Sequence, residues 1–204
     1  MFSKNQSGSS LNRQLFETYM ALDNWHQFRL RLFIEGIFVG IAGGLSISLF
    51  RFLLNESEDL RTHLYYACLI PALRRDDLLP LLSYTLLLLV IGGAIYAMCR
   101  YAPMAGGSGI PQVKGVILGL MKMKWLRILW VKILAGAIGI GAGLSLGREG
   151  PSIQIGAVAG QGLSRTLGRT RMEERYLITS GASAGLAAAF NAPLAGMMFA
   201  LEEL

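Results

Sequence analysis

The segment LSLGREGPSIQIGA, residues 144–157, sets one carboxylate in a long apolar stretch. Glu149 and its neighbour Arg148 are the only charged residues between positions 133 and 164. Pro151 suits the first turn of a helix, where its missing N–H is not needed. A helix start carries unpaired N–H groups and about half a positive charge, which suits an anion. An ionised Glu149 can occupy such a site and a protonated one can leave it, so the pattern predicts a gate that also carries a proton.

A structural role for Glu149 is the alternative. The carboxylate could cap the helix or pair with Arg148, and the local sequence favours neither explanation over the gate. A carboxylate at membrane depth is a functional candidate by default, whereas an adjacent arginine offers a structural reason for its presence.

Two further segments repeat this design, GGSGIP with Pro111 and FNAP with Pro193. Ser108 and Asn191 are residue types that cap helix starts, so we predict them as N-caps. Adjacent glycines let a small ion approach the backbone closely. Amide dipoles bind an anion less tightly than a full positive charge does, and can therefore also release it. The three segments predict three helix starts of the same anion-binding kind.

The elements that must position these residues are apolar helices. Hydrophobic residues make up 53% of the chain and charged residues only 16%, below the roughly one quarter of soluble domains. Residues 78–99 carry no charge and are long enough to cross a hydrocarbon core. Residues 32–54 form a second predicted span, with Glu35 and Arg51 near its ends, where we expect both side chains to reach the interface. Beyond Arg100, glycine and proline interrupt shorter apolar pieces, as in the broken helices of transporters.

The net charge of +6 follows a membrane pattern rather than that of a nucleic-acid-binding protein. Basic residues precede the first span and follow the second, whereas the loop between the spans is net acidic. By the positive-inside rule, the polar N-terminal arm of residues 1–31 and the loop after Arg100 are cytoplasmic. The orientation of residues 165–175 stays open. The basic residues of this pattern are Lys4, Arg13, Arg29, Arg31, Arg100, Lys114, Lys122, Lys124, Arg127 and Lys132.

Other kinds of site have little support. Ser183 in GASAG resembles a protease nucleophile, but His26 and His63 lie far from it in sequence, so we expect Ser183 to pack between helices. Cys68 and Cys99 predict no disulfide framework. Histidine and cysteine are too few for a metal site, and no P-loop or dinucleotide fingerprint occurs. We therefore expect no enzyme activity, no metal, no cofactor and no nucleic-acid partner.

Three segments, GGSGIPQVKG, GREGPSIQIG and GLAAAFNAPLAGMMFALEEL, resemble in order and separation the signatures of the chloride channel (CLC) family of anion channels and anion/proton exchangers. The resemblance implies an all-α membrane protein of tilted and broken transmembrane helices, with residues 32–204 as the first of two inverted repeats. It implies that Ser108 binds the central anion, that Glu149 is the gating glutamate and that Glu203 is the inner proton-carrying glutamate. The further positions implied to bind the anion are Gly109, Ile110, Gly150, Ser152 and Ile153.

The chain departs from the family pattern in two ways. Gln112 and Lys114 stand where the family often has acidic residues, which we expect to alter proton access or the subunit contact. The sequence stops at Leu204, where the first repeat of the family ends. We therefore expect a truncated, N-terminal half of a transporter that is a homodimer when complete.

The expected function is chloride/proton antiport in the lipid bilayer of a bacterial plasma membrane, with chloride or nitrate as the substrate. Ser108 favours these anions over fluoride, because the fluoride branch resembles the family with this serine replaced. Glu203 favours an exchanger over a channel, although Glu202 and Glu203 could simply be a solvated helix end. A voltage- or pH-gated chloride channel and a fragment that does not transport are the alternatives.

Overall fold

The computed structural model describes residues 6–71 and 78–204, with side chains from Leu30 onward except that of Cys68. Within these ranges the chain is helical and contains no strand, which confirms the all-α prediction. The helices are α1 (Gln6–Leu64), α2 (Leu78–Tyr101), α3 (Ile110–Ile117), α4 (Trp125–Gly141), α5 (Glu149–Thr166), α6 (Arg171–Phe190) and α7 (Pro193–Glu202). A π-helical turn, Tyr65–Leu69, follows α1, and a 3₁₀ turn, Pro103–Ala105, follows α2.

Two segments, Leu30–Ala67 and Leu78–Tyr101, are long and apolar enough to cross a membrane. Helix α2 has no buried residue, so its many leucines need a covering of lipid or protein. The helix predicted for residues 78–99 is confirmed. The span predicted for residues 32–54 lies inside the much longer α1, which also includes most of the predicted N-terminal arm.

The expectation that Glu35 and Arg51 reach the interface stays a prediction, and both side chains have partners within the described residues. Glu35 is buried, where it pairs with Arg31 at 3.3 Å and with Arg169 in the turn between α5 and α6. Arg51 Nη1 donates to Asn191 Oδ1 and to a carbonyl near the end of α6, both at 3.3 Å. Both charges find partners outside α1 because α1 packs against α5 and α6.

Helices α5 and α6 are antiparallel and touch through their backbones. A Cβ atom added at Gly156 would overlap the Gly181 carbonyl, and one added at Gly160 would overlap the Leu177 carbonyl. Small residues allow this close approach between membrane helices. The pair therefore forms a rigid support for the start of α5, where Glu149 lies.

Two apolar clusters connect the other helices to this pair. In the first cluster, Val113 of α3, Ile128 of α4 and Ile153 of α5 are buried together. The second joins Phe50 of α1 to Ile155 of α5. As a result, the segments that precede α3 and α5 are brought to the same place.

Several predicted features lie outside the described residues. They include the charges of Lys4, Arg13 and Arg29, the charges of residues 74–77, and the Cys68 side chain. Cys99 is described and carries a free thiol. The charge pattern and the absence of a disulfide framework therefore stay predictions.

Candidate functional site

A cavity of about 500 Å³ lies where the segment before α3 meets the segment before α5. The side chains of α2 and α4 complete its wall. Ser108, Glu149 and Gly150, all predicted from the sequence, line this one cavity. The fold therefore brings two of the three predicted helix starts together.

Ser108 ends a short segment, Met104 to Ser108, that we call the strap. The prediction that Ser108 is the N-cap of α3 is wrong, because Gly109 takes that position with a left-handed φ of 97°. Glycine adopts this backbone conformation without strain. The Ser108 hydroxyl makes no hydrogen bond within the described residues, and it lines the cavity. It is thus available to a ligand.

The strap also supplies backbone donors. The N–H groups of Ala105 and Gly106 donate to the carbonyls of Ala102 and Pro103, at 2.8 and 3.2 Å. Those of the next two residues, Gly107 and Ser108, have no acceptor in the described part of the chain, and both residues line the cavity. Successive unpaired amides of this kind suit an anion.

Glu149 is the first residue of α5 and its side chain is exposed to the cavity. Its carboxylate has no hydrogen bond or ion pair among the described residues, Arg148 included. The carboxylate lies over Gly147, where an added Cβ would overlap it. The explanation of Glu149 as the partner of Arg148 is therefore wrong, and the carboxylate stands unpaired at a helix start.

Gly150 joins the two helix starts. It is buried, and a Cβ atom there would overlap the carbonyl of Ser108. The lack of a side chain lets the first turn of α5 lie directly against the end of the strap. Gly150 thus sets the distance between Ser108 and Glu149.

Four of the predicted anion-binding residues do not line the cavity. Ser152 is buried, and both its N–H and its hydroxyl donate to the Arg148 carbonyl, at 3.1 and 2.7 Å. Ile153 and Ile110 pack in the first apolar cluster. Gly109 is buried and is not part of the cavity wall. The described geometry does not bring these four residues to the cavity, so their anion-binding role stays a prediction.

Lys132 belongs to the site. The distribution of basic residues along the sequence had instead placed it in a cytoplasmic loop. It lies in α4, it is only 5% exposed, and it lines the cavity. Its ammonium donates to the carbonyls of Ala105 and Gly107, at 2.9 and 2.7 Å. A buried charge needs such partners. The charge-free run of residues 133–147 that follows it was the signal that could have identified it.

Glu203 lies apart from this cavity, just after the end of α7. Its carboxylate accepts a hydrogen bond from Lys114 of α3 at 2.7 Å, and the two side chains are 47% and 40% exposed. Glu202 is exposed. The pair connects the end of α7 to the helix that begins at the strap.

The third predicted helix start, at Pro193, is confirmed, but Asn191 is not its N-cap. Ala192 holds that position, and Asn191 instead ends α6 with a left-handed φ of 53°. Ser183 of α6 donates to the Gly196 carbonyl of α7 at 2.7 Å, which confirms its predicted packing role.

The chain is similar to known transport proteins. The family model described as voltage gated chloride channel matches residues 86–204. The H(+)/Cl(-) exchange transporter ClcA of Cronobacter sakazakii is 45% identical over 122 residues, which is 59% of this chain and 26% of that protein. The protein of the same name from Vibrio cholerae is 46% identical over 106 residues, which is 52% of this chain and 23% of that protein.

Two solved structures are also similar to this chain. A slow cyanobacterial Cl-/H+ antiporter superposes with a TM-score of 0.73 at 36% identity, covering 85% of this chain and 40% of that one. A CLC-type fluoride/proton antiporter gives a TM-score of 0.59 at 27% identity, with the same coverage. The chain thus spans about a quarter of the length of these curated relatives and 40% of these solved structures.

Proposed function

The chain belongs to the voltage-gated chloride channel family, and on that premise we propose that it takes part in chloride/proton antiport. It is a membrane protein with a CLC-type helical fold. Its contribution is an anion site built from the strap and the start of α5, together with the glutamate that gates this site.

The observation that carries the proposal is the set of unpaired groups around one cavity. The Ser108 hydroxyl and the Gly107 and Ser108 N–H groups can donate to an anion, and the Glu149 carboxylate stands beside them. An ionised Glu149 competes with chloride for these donors. A protonated Glu149 loses that attraction and leaves the site, so the binding of chloride and the binding of a proton favour each other.

Chloride or nitrate is the proposed substrate. The hydroxyl of Ser108 supplies a neutral donor, and the curated relatives are named as exchangers of H(+) and Cl(-). Lys132 adds a positive charge to the cavity wall, but two carbonyls already accept its protons. This partial neutralisation favours an anion that binds and also leaves.

Glu203 is proposed as the inner proton carrier. Its carboxylate is half exposed, so water can reach it, and its link to Lys114 places it beside α3. Protonation of Glu203 removes its charge and breaks the ion pair. The proton then moves toward Glu149 by a path that the family resemblance implies.

The proposed setting is the bacterial plasma membrane, with the N-terminus in the cytoplasm and a homodimer as the assembled state. The distribution of Lys and Arg supports this orientation. The family resemblance supports the homodimer.

Reconstitution in liposomes tests the function. The 204-residue chain is assayed alone and as a fusion to the segment that follows the matched region in the Cronobacter sakazakii relative. An outward chloride gradient should drive proton uptake in at least one of them, which we call the transporting form. Chloride flux without proton movement would favour a channel, and the absence of chloride flux in both would contradict the proposal.

A further inference from the structure

Two glutamine side chains hold the strap from two different helices. Gln112 of α3 donates through Nε2 to the Gly106 carbonyl at 2.9 Å. Gln154 of α5 donates through Nε2 to the Met104 carbonyl at 2.7 Å. Of the two ends of a glutamine amide, only the nitrogen can donate to a carbonyl, so these contacts fix the orientation of both amides.

Together with Lys132, the glutamines occupy a continuous run of carbonyl oxygens. Those of Met104, Ala105, Gly106 and Gly107 all accept hydrogen bonds from side-chain donors. A carbonyl oxygen is the negative end of the peptide dipole and would repel an anion. Each oxygen in this run is directed toward its side-chain donor.

The planarity of the peptide bond transmits this anchoring to the N–H groups. The Gly106 carbonyl and the Gly107 N–H belong to one rigid plane and point in opposite directions. When Gln112 holds the oxygen, it therefore also sets the direction of the Gly107 N–H. Lys132 sets the Ser108 N–H in the same way through the Gly107 carbonyl. These are the two strap N–H groups that have no acceptor in the described residues.

Gln154 holds the first residue of the strap and also lies beside Gly109, the residue that directly follows the strap. Its side chain is fully buried and lies against Gly109, where an added Cβ would approach it to 2.7 Å. The Oε1 atoms of Gln154 and Gln112 are buried and have no partner in the described part of the chain. An unpaired buried oxygen is unfavourable, so residues that only filled space would be more stable as apolar side chains. The donor end of each amide is what the site uses.

We propose that Gln112 and Gln154 are positioning residues of the anion site. Their amide donors hold the strap carbonyls away from the cavity, and the Gly107 and Ser108 N–H groups stay directed at the anion. This role rests on the proposed function, because it assumes that the cavity binds an anion. Gln112 can therefore donate to the strap where an ionised acidic residue could not, since an ionised carboxylate has no proton to donate.

Chloride titration followed by amide NMR tests the proposal on the 204-residue chain in lipid nanodiscs. Chloride should shift the Gly107 and Ser108 amide resonances of the unmodified chain. Gln112→Met and Gln154→Met should each raise the chloride concentration at the midpoint about fivefold, the typical effect of one lost hydrogen bond. Gln161→Met is the matched control, because Gln161 is equally buried on α5 but donates to Glu174 at 2.9 Å.

A second variant guards against misfolding. Gln112→Leu fills the same space without a donor and without a charge, so it should raise the midpoint as Gln112→Met does. Unchanged midpoints in the Gln112 variants and in Gln154→Met, beside a normal titration of the unmodified chain, would overturn the positioning role. Absence of any chloride-dependent shift in the unmodified chain would instead contradict the proposed anion site.

Discussion

Two lysines of this chain have contrasting surroundings and partners. Lys132 is buried beside the cavity and donates to two backbone carbonyls, whereas Lys114 is exposed and pairs with Glu203. The buried lysine organises backbone that has no charge of its own, and the exposed lysine faces a carboxylate in contact with solvent. Under the proposed function, the anion site would therefore depend on preorganised dipoles, and the proton carrier Glu203 on a side chain that water can reach.

The largest expected effect concerns the exposed region. Glu203→Gln removes the titratable group there, so chloride-driven proton uptake by the transporting form should be abolished while passive chloride flux continues. Glu202→Gln is the matched control and should be the milder change, because Glu202 lies outside the Lys114 pair. Both fluxes are followed in the same liposomes. Persistent coupled uptake with Glu203→Gln would remove this residue from the proton path.

The next effect concerns the buried lysine. Lys132→Met leaves two strap carbonyls without their donor, so the apparent chloride affinity should fall by more than about tenfold. Lys124→Met, at the exposed N-cap of the same helix, should change it little. The KM for chloride, measured with the transporting form, checks this expectation. An equal change in KM for Lys132→Met and Lys124→Met would contradict the distinction between buried and exposed lysines.

A smaller effect is expected from Ser108. Its hydroxyl can donate one hydrogen bond to an anion, so Ser108→Ala should change the relative chloride, nitrate and fluoride fluxes by about fivefold. Proton coupling should change less, because the Ser108 hydroxyl neither gains nor loses a proton during transport. Unchanged flux ratios would show that the hydroxyl is not an anion ligand.

The smallest effect is expected from Lys114. Exposed ion pairs contribute little, so Lys114→Met should alter the rate of proton uptake by less than about twofold at physiological salt. The rate is compared with that of Lys122→Met, another exposed lysine. A loss of uptake as large as that of Glu203→Gln would show that proton uptake depends on the Lys114–Glu203 ion pair. That result would contradict the comparison of Lys132 with Lys114.

The sequence predicted much of this arrangement where the signal is local. The charge-free run of α2 and the prolines near the starts of α3, α5 and α7 identified those helices, because length and backbone sterics act over a few residues. The hydrogen-bond partners of Arg51 and Lys132 could not be predicted in the same way. Their partners lie 140 and about 25 positions away, so only the packed fold determines them.

The residues that cap α3 and α7 were also beyond the sequence signal. Ser108 and Asn191 are good capping types, yet Gly109 and Ala192 occupy the N-cap positions. The chain turns with a positive φ at Gly109, directly after the strap, and the turn at Asn191 ends α6 instead. Composition indicated the right turns, and backbone geometry then determined which residue sits at the helix boundary.

Chloride binding by Glu149→Gln tests the central claim most directly, namely that this carboxylate competes with an anion for the donors around the cavity. Calorimetric titration of the unmodified transporting form should show chloride affinity that falls as the pH rises, because the ionised carboxylate occupies the site. Glu149→Gln mimics the protonated state, so it should bind chloride tightly over the whole pH range and should no longer couple chloride flux to proton movement. An affinity that depends on pH to the same degree in both proteins, or continued proton pumping by Glu149→Gln, would contradict the account.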